Sequence, residues 1–315
     1  MPPERVAAVD LGSLTVRLAV AERVGPGRFR VVRHRREVTA LAEGLAPGGV
    51  LSPAAMDRTY QALAGFVREL EALRVAAVQA VGTQALRQAA NRQEFLRHLQ
   101  EGLALAVRVL SPEEEARLTL AGVLSGLEPK YLQGAVAVFD VGGGSTEFAL
   151  LLPDQQPRFA GLPLGVLTLS QARPLGDPPA PARVAALQAE LVGEFTKFYR
   201  QHLEPFLTAP PRLVGTAGAV TTLAALALEM AVYDPRQVNN LVLRREQVAA
   251  LAQRLSRLPE AARAQLPGME VAKAGVMVAG ALMVQAILEA CRQDSLVVID
   301  AGLLEGVLGE LSSNP

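Results

Sequence analysis

Two stretches of the chain carry the same order of apolar and small polar positions. Residues 7–20, AAVDLGSLTVRLAV, run apolar strand, Asp, any residue, Gly, hydroxyl residues and a second apolar strand. The stretch FDVGGGSTEF at 139–148, continued by EFALLL, repeats that order, so Asp10, Gly12, Ser13 and Thr15 echo Asp140, Gly142, Ser145 and Thr146. β-Rich residues flank both turns, which predicts a duplicated hairpin with a tip of glycine and hydroxyl residues. A dinucleotide fingerprint would open a helix after its glycines; here a strand continues, and no G-x-x-x-x-G-K-[ST] loop occurs.

Between and after the hairpins the periodicity changes. Ser52 followed by Pro53 opens a stretch with helical spacing, SPAAMDRTYQALAGFVRELEAL. VAAVQAV from Val75 reads as a buried strand, GTQALRQAANRQEFLRHL from Gly82 as one helix and AVRVL at 106–110 as a strand. SPEEEARLTLAGVLSGL repeats the Ser-Pro helix start at Ser111, and EPKYLQG at 128–134 is a polar break that serves as the expected domain boundary. RPLGDPPAPA from Arg173 reads as a surface loop. PRLVGTAGAVTTLAALAL from Pro211 and SLVVIDAGLLEGVLGEL from Ser295 both read strand, glycine turn, helix. The pattern predicts mixed sheets with helices, twice over: 1–128 joined by a C-terminal helix at 303–315, and 129–302.

A length of 315 residues fits two cores. Charges balance at 31 basic and 31 acidic side chains, so a strongly cationic nucleic-acid binder is not indicated and any polyanion must meet a local patch. The basic run RVVRHRREV at 30–38 could guide one, although strand alternation makes it a solvated face. The single Cys291 excludes an internal disulfide and a cysteine-rich metal site, and His34, His98 and His202 have no metal-ligand spacing. The apolar run VMVAGALMV at 276–284 is about half a membrane span and reads as a core helix. With no signal-peptide order at the start, the expectation is a cytoplasmic protein without membrane or nucleic-acid partners.

Glycine turns let successive backbone N–H groups converge on one anion. Three occur: Gly12 with Ser13; Gly142, Gly143 and Gly144 with Ser145 and Thr146; and Gly215, Thr216 and Gly218. One such turn is usually plain geometry; three point to phosphate. Carboxylates beside phosphate require a shared cation, so Asp10, Asp140 and Glu147 imply a hard ion, Mg²⁺ or Mn²⁺, with a monovalent cation as a further option. The plainer alternatives are turn caps for the aspartates and an exposed strand position for Glu147. Of the acidic run, Glu113 and Glu114 are explained by the helix start, Glu114 reaching back to the cap amide. Glu115 lies near the inward edge, where activating a water would give it a role. Arg87 could grip phosphate oxygens, though its spacing alone favours an exposed helix arginine.

Together these residues resemble the exopolyphosphatase and guanosine pentaphosphate phosphohydrolase (Ppx/GppA) family. The resemblance rests on Asp10-Leu-Gly-Ser, GTQALRQAAN at 82–91, VLSPEEEARL at 109–118, DVGGGSTE at 140–147 and GTAGAVTTL at 215–223, and spans residues 6 to about 310. It implies a duplicated two-lobed actin-like (ribonuclease H-like) α/β fold with an interdomain cleft, of the short two-domain type. It implies Glu115 as the base, Arg87 as a catalytic partner, and Asp140 and Glu147 in the metal and phosphate loop. The implied substrate is inorganic polyphosphate or guanosine pentaphosphate, and a homodimer is an assembly open to it. An ATP-dependent sugar or acid kinase and a non-catalytic polyphosphate sensor are the rival readings. Leu14, Thr168, Gly275 and Leu304 replace polar or charged residues frequent in the family, and Lys273 stands for an arginine.

Overall fold

The computed structural model describes residues 3–25, 28–46 and 48–313. The chain divides into two compact units, Met1–Ser125 with Gly302–Pro315, and Gly126–Ala301. The last two residues of the expected 303–315 helix, and the first two of the chain, lie outside the described residues. No helix among the described residues is long and apolar enough to cross a membrane.

The first unit begins with β1 (Arg5–Leu11), β2 (Thr15–Gly25) and β3 (Arg28–Val38), then α1 (Pro53–Ala72), β4 (Ala77–Gly82), α2 (Gln84–Gln88), α3 (Arg92–Leu103), β5 (Val107–Val109) and α4 (Pro112–Gly126). Its sheet has the order β3-β2-β1-β4-β5, with β1 antiparallel to β2 and parallel to β4. The second unit holds β6 (Val136–Val141), β7 (Thr146–Leu151), β8 (Arg158–Leu162), α5 (Val166–Ala172), α6 (Pro181–His202), β9 (Arg212–Thr216), α7 (Ala217–Ala227), α8 (Pro235–Val238), β10 (Leu241–Arg244), α9 (Arg245–Ser256), α10 (Glu260–Arg263), α11 (Met277–Ala290) and β11 (Ser295–Val298). Its sheet runs β10-β11-β9-β6-β7-β8. Five of these strands, β8-β7-β6-β9-β11, reproduce the order and directions of β3-β2-β1-β4-β5. The duplication read from two hairpins therefore extends to both sheets, the actin-like arrangement of mixed sheets flanked by helices.

α12 (Leu303–Ser313) returns the chain to the first unit, where Leu303, Leu304, Val307 and Leu308 pack on Val6, Ala8, Ala19, Val81 and Leu118. Backbones meet closely here: a side chain on Gly122 of α4 would overlap the Gly302 carbonyl, and one on Gly306 would overlap the Leu118 carbonyl. Two glycines thus fix α4, the helix that carries Glu115. α11 is buried along almost its whole length, as a core helix should be.

Two local expectations change, and one is borne out. The predicted single helix from Gly82 is broken into α2 and α3, because the Asn91 side chain is used twice on Leu51, accepting from its N–H at 2.8 Å and donating to its carbonyl at 3.1 Å. Ala89 turns extended just before it. The strand expected from Val75 starts at Ala77, and Val78 is exposed. The basic run lies on β3, an edge strand, where Glu22, Glu69 and Glu37 pair with Arg30, Arg33 and Arg35; it is a solvated, charge-paired face.

Candidate active site

The two hairpins superpose in register without a gap. Asp10 faces Arg17 across the first, and Asp140 faces Glu147 across the second; Gly12 N–H donates to the Thr15 carbonyl and Gly142 N–H to the Ser145 carbonyl, both at 3.0 Å. Thr15 therefore corresponds to Ser145 and Ser13 to Gly143, which corrects the pairing of Ser13 with Ser145 and Thr15 with Thr146. The earlier pairing matched residue types, whereas hydrogen bonds count positions. A side chain on Gly12 or Gly142 would press on that same carbonyl, at 2.9 and 3.2 Å, so glycine is needed for the tight tip.

What the second tip offers is fixed by α5. The Gly142 carbonyl accepts from Val166 N–H at 3.0 Å, and the Gly143 carbonyl accepts from Leu167 and Thr168 N–H at 2.8 and 3.2 Å. In a trans peptide the C=O and the following N–H point in opposite directions. With both carbonyls turned onto the start of α5, the N–H groups of Gly143 and Gly144 face away from it, as an anion-binding turn requires. Gly165 lets this happen: a side chain there would drive into Gly143 and Gly144. Thr168 adds a cap, accepting from Gly165 N–H at 3.2 Å. In the first unit the Ser13 carbonyl is held likewise by Ala42 N–H at 2.9 Å, and the Leu14 carbonyl by Thr39 and Ala40.

Two hydroxyls expected at phosphate are spent inward. Thr146 is fully buried and donates to the Leu164 carbonyl at 2.7 Å; Thr216 donates to the Ala301 carbonyl at 2.9 Å. Gly215 is a packing glycine, since a Cβ there would stand 2.7 Å from the Phe139 ring. Ser13 and Ser145 are buried in their tips. Gly218 has a different neighbour: the Lys273 ammonium lies 2.9 Å from where its Cβ would be, with that lysine side chain 4% exposed and 3.0 Å from Glu270. Between Thr216 and Gly218, Ala217 holds φ +69°, a left-handed backbone that alanine rarely adopts.

The expected capping box is present at α4. Ser111 N–H donates to Glu114 at 2.8 Å and Glu114 N–H to the Ser111 hydroxyl at 3.1 Å, a capping box that holds Glu114 below the usual carboxylate range. Glu115, half-buried, is gripped by Arg87, which also donates to the Leu110 carbonyl at 3.0 Å. Arg87 is thus not an exposed helix arginine. α2 and α4 each contribute one half of a fixed guanidinium–carboxylate pair, which aims the carboxylate.

Asp10 is almost wholly buried. Its Oδ2 receives Arg17 Nε at 2.8 Å and Nη2 at 2.6 Å, whereas its Oδ1 has no hydrogen-bond partner. No group of three or more His, Cys, Asp or Glu able to hold a metal occurs among the described residues, so Asp10, Asp140 and Glu147 do not form a ready-made cage. A buried carboxylate oxygen without a proton to accept, and an Asp facing a Glu across a hairpin, fit an ion that takes few carboxylates and fills its shell with water and phosphate oxygens. Sequence reasoning did not single out Arg17, Gly165 or Glu305, and it noted Lys273 only as a departure from the family pattern. Arg17 was findable, being the cross-strand partner of Asp10 in a two-strand hairpin. Glu305 opens α12, accepts from Gly302 N–H at 2.7 Å, and lies 4.0 Å from His34; burial pushes its carboxyl up, against that N–H, His34 and Arg17.

Comparison with known proteins shows the family. The chain is 31% identical over 322 residues to Exopolyphosphatase 2 of Mycobacterium tuberculosis, covering 96% of this chain and 97% of that protein. It is 28% identical to Exopolyphosphatase 1 of Mycobacterium bovis, over 96% and 87% of the two chains. The crystal structure of the Aquifex aeolicus member of the Ppx/GppA family aligns over 100% of both chains with a TM-score of 0.80 and 31% identity. An exopolyphosphatase from Cytophaga hutchinsonii, at 22% identity and TM-score 0.84, shares the fold. The family profile matches residues 20–314, and the chain belongs to the Ppx/GppA phosphatase family of enzymes.

Proposed function

We propose that this protein is an exopolyphosphatase, releasing orthophosphate by hydrolysis of the terminal phosphoanhydride of inorganic polyphosphate. The observation that carries the reading is the Gly142–Gly144 turn, whose carbonyls are locked onto α5 so that successive N–H groups are presented together. Backbone donors arranged before substrate arrives need no reorganisation as charge shifts in phosphoryl transfer. Arg87 neutralises and aims Glu115, which accepts a proton from the attacking water; the phosphate leaving group needs little acid help. Mg²⁺ would supply charge neutralisation at the phosphate oxygens, the carboxylates able to hold it being Asp10 in the first hairpin and Asp140 with Glu147 in the second. Lys273 adds a buried positive charge beside Gly218. The same groups could act on guanosine pentaphosphate, the sister activity, and only competition between substrates separates the two.

The test is phosphate release with Mg²⁺ from long-chain polyphosphate, guanosine pentaphosphate and ATP, for wild type and Glu115→Gln. Loss of a general base costs about 10²- to 10⁴-fold in kcat, while polyphosphate binding should persist. Near wild-type turnover in the variant would remove Glu115 from the mechanism. Binding without release from any substrate would select the sensor reading instead.

A further inference from the structure

Arg263, at the end of α10, is a charged residue with only 4% of its side chain exposed. Its guanidinium donates to the Ala274 carbonyl from Nε at 2.9 Å and to the Leu258 carbonyl from Nη1 at 2.8 Å; the nearest carboxylate, Asp177, is 3.6 Å away. Asp177 in turn accepts from Glu260 N–H at 2.7 Å, at the other end of the same short helix. Burying a guanidinium mainly against carbonyls is a poor way to gain stability, since an apolar side chain of similar volume would fill the space without the desolvation penalty. One of its bonds, from Nε to the Ala274 carbonyl, instead ties α10 to a segment that bears on the third glycine turn. Ala274 directly follows the 3₁₀ turn Val271–Lys273, and that turn delivers the Lys273 ammonium to Gly218. Next to it, Gly275 has no side chain and the Glu260 carboxylate lies 3.1 Å from its Cβ direction, so α10 closes on the segment from both ends.

We propose that Arg263 is a positioning residue for the third glycine turn: by holding the Ala274 carbonyl it fixes the turn that places the Lys273 ammonium against Gly218. A buried lysine has a flexible four-carbon stem, and a phosphate held by a point charge is sensitive to where that charge sits. The inference rests on the reading that the Gly215–Gly218 turn takes a phosphate of the substrate.

The experiment is a double-mutant cycle between Arg263→Met and Lys273→Met, read as kcat, KM and equilibrium binding of polyphosphate. It is paired with mass-spectrometric rates of Lys273 acylation by an amine reagent. Arg263→Met should raise KM and weaken binding at least fivefold with a smaller change in kcat. It should also expose Lys273 to acylation at least tenfold faster than in wild type. The double variant should bind within twofold of Lys273→Met alone, and Arg263→Lys should recover part of the affinity. Additive effects, or a lowered Tm with KM and Lys273 labelling unchanged, would overturn the proposal. If Arg263→Met does not fold, Arg263→Lys carries the same comparison. A wild type that neither binds nor cleaves polyphosphate would sink the functional reading separately, and the labelling rates would still decide whether Arg263 positions Lys273.

Discussion

Replacing Gly165 by alanine isolates the glycine turn from every charged group around it. Gly165 has φ −134° and ψ 167°, an extended backbone that alanine adopts without strain, so the whole effect must come from the added methyl. That methyl would stand 2.5 Å from the carbonyl carbons of both Gly143 and Gly144. Ordinary carbon contacts need about 3.5 Å, so the turn must move by about 1 Å or α5 must withdraw. Either motion stretches the bonds from Val166, Leu167 and Thr168 to the turn carbonyls, and the N–H groups on the other side lose their alignment. Overpacking of this kind costs about 1–3 kcal/mol, or a fall in Tm of about 2–4 °C per kcal/mol for a unit of this size. Hydrogen bonds to a charged group contribute about 1.5–3 kcal/mol each, so losing two removes at least about 3 kcal/mol and should weaken phosphate binding by about 150-fold or more. The assay is KM for polyphosphate and isothermal binding of the same polymer, at a temperature well below the variant's unfolding transition. Gly193→Ala is the control: that glycine is exposed on α6 with open space around it, and alanine there should stabilise by about 0.5–1 kcal/mol without changing KM. A Gly165→Ala enzyme that is less stable but keeps wild-type KM would refute the claim that this turn holds substrate.

Three further outcomes follow from single residues. Burial raises the Glu305 carboxyl, so the folded state holds its proton to higher pH than the unfolded chain does, and stability is lost as pH climbs from the ordinary carboxylate range through the raised value. Urea titrations should therefore show Glu305→Gln gaining on wild type across that window, by at most about 1.4 kcal/mol per pH unit; a pH-independent difference would refute it. Cys291 is buried, with its thiol pushed up to about 12, so at pH 8 roughly one molecule in ten thousand carries a native thiolate. Labelling should then follow unfolding of the second unit, its rate rising with urea, and rapid labelling of the native protein would contradict this. Ala217→Gly relieves a left-handed alanine and should raise Tm, the relief of about 1–2 kcal/mol exceeding the roughly 0.5–1 kcal/mol cost of glycine's greater entropy in the unfolded chain.

How much of this was legible in the sequence depended on the range of the interaction. The hairpins, the Ser-Pro helix starts and the capping box at Ser111 are written within a few residues, where turn chemistry and periodicity act, and they read correctly. The role of Asn91 was not readable, because its partner Leu51 is forty positions away and breaks a helix that local propensity would continue. The glycine motifs were read as one kind of object and turned out to be several. Gly12 and Gly142 serve tight tips, Gly215 makes room for Phe139, and Gly218 admits a lysine from another element. Sequence shows a missing side chain; only the fold shows what occupies its place.

The same distinction bears on the four positions where polar groups frequent in the family are absent. Leu304 lies in the core beneath β1 with Leu303 and Val307, where its side chain is part of what seats α12 and, through Gly306, α4. Thr168 caps α5 at Gly165, and its own N–H holds the Gly143 carbonyl of the glycine turn, a contribution to the backbone arrangement rather than a lost cation. Gly275 leaves space that the Glu260 carboxylate approaches, so negative charge is kept beside the segment although its source has moved. Leu14 is buried and works through its carbonyl, which receives two N–H groups from residues 39 and 40. In each case the position has a structural task in holding a loop or helix that carries the candidate chemistry. The turn carbonyls locked on α5 would serve a passive binder equally well, whereas the guanidinium of Arg87 aimed at the Glu115 carboxylate has a use under the proposed hydrolysis and none in binding alone.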